Sequence, residues 1–139
     1  MTKSMNLFSG IFFENNKHIT WEFNPGACEL PDGVNEGDEQ IVQLYAIIHE
    51  RAMGLYGCFI ELNGKKIYDQ PTVGKDGILP LHITLYTGKD SNGNTIPPVE
   101  AGILLRSYRQ AMLKGITPTG YSSLNHIFTW IGTWGFHKI

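Results

Sequence analysis

The sequence predicts a single α+β domain, on three observations. Residues 18 to 23 and 79 to 86 alternate apolar and polar side chains, as half-buried strands do. Asn63-Gly64 stands between a strand from Tyr56 to Leu62 and the stretch Lys65 to Tyr68, and suits a two-residue hairpin turn. Two further stretches, 38 to 53 and 98 to 114, carry apolar residues at helical spacing. At 139 residues, 42% hydrophobic and 17% charged, the chain is sized for one core.

Taken in order, residues 7 to 13 and 18 to 23 are apolar stretches joined across Glu14-Asn15-Asn16-Lys17, which predicts a hairpin. In the second stretch Ile19, Trp21 and Phe23 share one face, and His18, Thr20 and Glu22 the other. After a breaker-rich segment from Asn24 to Gly37, Asp38 is placed to cap a helix in which Ile41, Leu44, Tyr45, Ile48 and Ala52 recur, ending near Gly54. A strand from Tyr56 to Leu62 turns at Asn63-Gly64 into Lys65 to Tyr68, and Pro71 to Gly77 is loop. In the next strand Leu79, Leu81, Ile83 and Leu85 face one way, and Pro80, His82, Thr84 and Tyr86 the other. Thr87 to Asn94 is polar. Pro97-Pro98 then suits the first turn of a helix running to about Lys114 and closed by Gly115, with Val99, Ile103 and Tyr108 inward. The tail from Tyr121 to Phe136 places Leu124, His126, Phe128, Trp130 and Trp134 on even positions, predicting a final aromatic strand with a bulge at Gly132. The order ββαββ followed by βαβ reads as two strand-helix-strand halves, an internal duplication.

A formal charge of -2 provides no basic field for gripping a long nucleic acid through many phosphates, so a small nucleotide or an RNA end is the easier substrate. The N-terminal apolar stretch Leu7 to Phe13 is short and broken by Ser9 and Gly10, unlike a cleavable signal, and no apolar run reaches bilayer-spanning length. Cys28 and Cys58 are the only cysteines. Both are expected to be reduced thiols in a soluble, cytoplasmic protein that makes no membrane contact.

The chemistry is carried by a repeated pattern. His18-Ile19-Thr20-Trp21 and His82-Ile83-Thr84-Leu85 each set a His and a Thr two apart with apolar residues between and after them. On a strand this spacing turns both polar side chains to one face while the apolar ones anchor the core. Cleaving a phosphodiester requires one group to accept a proton from the nucleophile and another to donate one to the leaving oxygen. Imidazole, with a pKa of about 6.5, serves either role near neutrality. The hydroxyls of Thr20 and Thr84 are suited to donate to the non-bridging oxygens, where charge must be held as the bond breaks. No metal or other cofactor is demanded.

The two triplets, each on a strand followed by a loop and a predicted helix, with the hairpin Tyr56 to Tyr68 between them, resemble the 2H phosphoesterase superfamily. Its members include RNA 2′,3′-cyclic phosphodiesterases, enzymes that cleave 2′-5′ oligoadenylates, and phage enzymes that destroy cyclic oligonucleotide signals. The resemblance covers most of the chain and implies a bilobal fold, two antiparallel sheets with outer helices around a central groove. It also implies His18, Thr20, His82 and Thr84 as the catalytic set of a metal-independent phosphodiesterase. The expected substrate is an RNA end or a small cyclic or 2′-5′-linked oligonucleotide. This chain is more compact than many members, so loops that cover their substrates are trimmed here. An RNA-end-repair cyclic phosphodiesterase is the alternative enzyme. A noncatalytic binding or immunity protein is the alternative from another class, although a pure binder has no chemical need for two intact triplets.

Tyr86, next along the His82 face, is placed to stack on a base, and Trp21 joins it as a substrate-binding candidate if its ring reaches the groove, as do Trp130, Trp134 and Tyr121 on the same condition. His49-Glu50 lacks the second His of a zinc-protease helix, and no third and fourth metal ligands stand at usual spacing. His49, His126 and His137 read as ordinary surface or tail residues. Arg106, Arg109 and Lys65-Lys66 read as solvated surface charge.

Overall fold

A computed structural model describes residues 2–4, 6–23, 26–49, 52–56, 59–71 and 75–139. Cys58 lies outside them. Strands predominate among the described residues and the α-helix there is one element of 15 residues, which overturns the expected α+β bilobal fold with outer helices. A long antiparallel sheet curls into a half-barrel, and a small two-stranded ribbon lies beside it.

The ribbon pairs β1 (Thr2–Ser4) with β4 (Ala27–Glu29). The first predicted hairpin forms as β2 (Leu7–Phe12) and β3 (His18–Phe23) around a turn in which Asn16 adopts φ 65. The predicted helix over 38 to 53 is instead β5 (Glu39–His49), in which Gln40, Val42, Leu44, Ala46 and Ile48 are buried. Apolar residues fill nearly every position from 41 to 48, so both periods are legible there. The crowding of Ile41, Val42, Ile47 and Ile48, stiff at χ1, decides for the strand. Asp38 closes a turn before β5, its carboxylate accepting the Asn35 amide at 2.9 Å.

β6 (Ala52–Tyr56) and β7 (Phe59–Leu62) both pair with β5. β7 turns through Asn63 (φ 52) and Gly64 (φ 77) into β8 (Lys65–Ile67), the left-handed pair that the Asn-Gly signal requires. β9 (His82–Thr87) starts three residues later than expected, because Pro80 makes only an isolated bridge to Asp69. The second predicted helix exists as α1 (Val99–Leu113), beginning at Pro98 and followed by Gly115 at φ 81. Its buried stripe is Ala101, Gly102, Leu105 and Tyr108, and Val99 is exposed, so the expected stripe is rotated.

β10 (Tyr121–Lys138) pairs with β5 over residues 121 to 133 and with β2 over residues 133 to 138, so this one strand bridges β2 and β5. The irregularity in β10 falls between Ser123 and Phe128, away from the expected bulge at Gly132. Gly132 sits in regular register. A Cβ there would press on the Ile11 and Phe13 side chains, so a close approach of layers explains it. Among the described residues, ten strands and a single helix leave no second strand-helix-strand half, so the expected duplication is not found there.

The main core gathers Ile11, Ile19, Val42, Leu44, Ile60, Leu81, Ile83 and Trp134 inside the curl. A second cluster of Ala46, Ile48, Leu105 and Tyr108 fixes α1 to β5. Full burial of each aliphatic side chain contributes roughly 1.5–3 kcal/mol, so the strands bearing the two triplets are anchored through Ile19 and Ile83.

Candidate functional site

β3 and β9 are neighbours in the sheet and run antiparallel, with Ile19 directly opposite Ile83. Both isoleucines are fully buried. Side chains alternate along each strand, so His18, Thr20, His82 and Thr84 stand together on the face away from Ile19 and Ile83. That register sets Thr20 across from His82 and His18 across from Thr84. The two histidines then lie on a diagonal, their positions roughly 7–8 Å apart by sheet geometry. Charge on His82 is felt at His18, in keeping with that proximity. Two side-chain bonds reinforce the seam: Lys17 Nζ donates to the Leu85 carbonyl at 2.9 Å, and Gln70 Nε2 donates to the Thr20 carbonyl at 3.3 Å.

The two imidazoles differ in setting. His82 Nδ1 lies 2.8 Å from the Pro80 carbonyl, which only accepts, so Nδ1 carries the proton and Nε2 holds the lone pair. α1 roofs this ring: a Cβ on Gly102 would fall 2.8 Å from His82 Cε1, so only glycine lets the helix pack so closely there. Burial pushes the pKa of His82 below its usual 6.5, opposed by the bond to Pro80. His18 is half-buried, its ring 5.1 Å from that of Phe8 and stacked on Phe12 at 5.8 Å. Its pKa is also lowered, by burial first and then by electrostatic repulsion from His137, His82 and Lys17. Both imidazoles are therefore biased toward the neutral, proton-accepting form.

The candidate stacking residues fare differently. Tyr86 is 47% exposed, and its hydroxyl lies 2.8 Å from Nε2 of His49 at the end of β5. Trp21 is buried at 8% exposure and meets Trp134 edge-on at 5.7 Å, so it is a core residue and leaves the substrate-binding set. Phe23, expected on Trp21's side, is 56% exposed and packs beside Phe8. The cause is a bulge. Ser9 pairs with Glu22 and Gly10 with Thr20, leaving Trp21 unpaired and reversing the alternation beyond it. Gly10 suits that bulge, because a Cβ would collide with the Ile19 carbonyl.

Sequence reasoning also set His137 aside as a tail residue. In the fold its ring stacks on Phe12 at 3.6 Å and 12°, one strand away from His18. Only the pairing of β10 with β2 brings it there, and no local spacing signals it. Arg109 forms an ion pair with Asp69 at 2.7 Å, and Arg106 donates to the Asp76 carbonyl, so both arginines are engaged structurally and lie outside the four-residue set.

Two concavities lie elsewhere, one lined by Tyr45, Tyr68, Asp69, Arg109 and Tyr121 and the other by Glu39, Gln43, Glu61 and Lys66. The four side chains of the His/Thr face are half-buried, on a shelf beside α1. Among the described residues no group of three or more His, Cys, Asp or Glu is placed to hold a metal ion, and no helix is long and apolar enough to cross a membrane. Comparison with known proteins finds no match to this chain, whether among family models, curated sequences or solved structures.

Proposed function

We propose that His18, Thr20, His82 and Thr84 bind and cleave a phosphodiester of RNA or of a small cyclic or 2′-5′-linked oligonucleotide, without a metal. The observation that carries this reading is the Ile19–Ile83 register, which sets two His-x-Thr triplets on neighbouring antiparallel strands and one face. Nε2 of His82 is the free nitrogen of that ring, suited to accept a proton from the attacking oxygen. His18, the more open of the two, is suited to protonate the leaving oxygen. An anionic phosphate between the rings favours their charged forms, so its arrival opposes the lowered pKa values and draws a proton into the site. The threonine hydroxyls flank the phosphorus and are placed to donate to its non-bridging oxygens. The chemistry is that of the 2H enzymes on a different scaffold.

A noncatalytic binding role is the second reading, and the roof that α1 places over His82 favours it. A panel of cyclic dinucleotides and trinucleotides, 2′-5′ oligoadenylate and 2′,3′-cyclic phosphate ends separates the two. Turnover of at least one substrate, surviving excess chelator, is expected. Complete loss on chelation with recovery on zinc or manganese replaces this mechanism with a metal-dependent one. Absence of turnover across the panel leaves the binding role.

A further inference from the structure

On the side of His18 away from β9, a continuous run of rings crosses three strands of one sheet face. His137 on β10 stacks on Phe12 of β2 at 3.6 Å, and Phe12 stacks in turn on His18 of β3 at 5.8 Å. Phe8 touches every other ring in the run: Phe12 at 5.6 Å, His18 at 5.1 Å, Phe23 at 6.1 Å and His137 at 6.1 Å. The register explains the assembly, since Phe12 pairs with His18, Phe8 with Phe23 and His137 with Phe8. Phe23 and His137 are exposed at its margins, while Phe8, Phe12 and His18 are half-buried.

An aromatic patch on the solvent side of a sheet asks for an occupant. With three of the five rings half-buried, the open area is on the order of a few hundred Å², given about 150–250 Å² for a whole aromatic side chain. A stable protein partner needs roughly 800 Å² on each side. A planar ring system is the right size. The patch mixes apolar phenyl rings with imidazole nitrogens, which suits a nucleobase having both a π-face and a hydrogen-bonding edge. It also adjoins the phosphate shelf through His18 itself.

We propose that Phe8, Phe12 and His137 form the stacking site for the base next to the scissile phosphate, a site that rests on the phosphodiester reading of His18 and His82. The ligand is a nucleotide whose phosphate lies on the His/Thr shelf and whose base lies toward β10, opposite in direction to Tyr86. His137 supplies the exposed ring. Phe12 holds that ring in place and spans the gap to His18.

The test compares adenosine 2′,3′-cyclic monophosphate with methyl riboside 2,3-cyclic phosphate, which presents the same phosphodiester and no base. Binding of each is followed by calorimetry and by the imidazole signals of His18 and His137. The wild type is expected to bind the base-bearing probe roughly tenfold more tightly, in line with about 1–3 kcal/mol for stacking one base. His137→Ala is expected to bring the ratio of the two affinities to near one, any change in His18 bearing on both probes alike, and His137→Phe to restore it. His137 is exposed near the chain end, so its replacement spares the core. Equal affinity for the two probes in the wild type, or an undiminished advantage in His137→Ala, overturns the stacking site while the phosphate shelf stands. Binding of neither probe overturns both.

Discussion

His18-Ile19-Thr20 and His82-Ile83-Thr84 are one tripeptide in two surroundings. Each isoleucine is fully buried, and each His and Thr turns to the opposite face, so the local pattern is obeyed twice. The third dimension separates them. His82 is clamped by the Pro80 carbonyl beneath and α1 above, whereas His18 stands among aromatic side chains at the edge of solvent. A strand sequence therefore decides which way a side chain points, and long-range packing decides what it meets there. The lowered pKa values have correspondingly different origins. For His82 burial is the cause, with the Pro80 bond opposing it, and for His18 electrostatic repulsion from His137, His82 and Lys17 adds to burial.

The largest expected effect treats the triplets as equals. Replacing either His18 or His82 by Ala should lower turnover roughly 10²-fold to 10⁴-fold, and the double variant should be far less than multiplicatively worse, since the two act on one proton-transfer sequence. Near-normal turnover in one single variant breaks the symmetry and makes that triplet a coincidence. Gly102→Ala on α1 should act on one triplet only. Forcing a methyl group against the His82 ring costs about 1–3 kcal/mol by overpacking and should lower activity, while the signals of His18 stay in place. An unchanged melting temperature and activity in this variant would show that the helix leaves room above the ring.

Stability should divide the pair next. His82→Ala removes a packed ring and is expected to cost about 1–3 kcal/mol, against about 0.5 kcal/mol or less for half-buried His18, measured by urea denaturation. Because both folded-state pKa values lie below 6.5, the unfolded chain takes up protons first as the medium is acidified. The stability these groups contribute is complete above about pH 6.5 and is lost as pH falls from there through the lowered folded values. Melting temperature should decline through that window, with a shallower slope when both residues are Gln. The smallest effect belongs to His137→Ala, which removes a neighbour that opposes charge on His18 and should raise the pKa of His18 while leaving that of His82 in place.

Much of the scaffold was legible in the sequence, and the failures share a cause. The hairpin over 7 to 23, the Asn63-Gly64 turn, α1 and the aromatic tail strand each rest on signals within a few residues. Residues 38 to 49 were misread because their apolar density satisfies both periods, and only side-chain branching separated them. Trp21 and Phe23 exchanged roles at a bulge set by the partner strand, and Gly10 was the sole local trace of it. The shared face of each His-x-Thr triplet was readable because a spacing of two holds between bulges, and no bulge falls within residues 18 to 20 or 82 to 84. His137 was not, since its place beside His18 depends on two strands more than a hundred residues apart in the chain.

The β3–β9 seam carries a mechanical consequence. β2 and β3 share five registered pairs, whereas β3 and β9 share the single pair Ile19 and Ile83, supplemented by the Lys17 and Gln70 side chains. One histidine thus stands on the β2–β3 side of this seam, and the other on the β9–β6 side. Their separation is set by the most sparsely zipped line between them, so it is a soft coordinate. Amide exchange at Ile19 and Ile83 should outpace that at Ile11 despite equal burial, and a ligand bridging both sides should slow it by riveting them together.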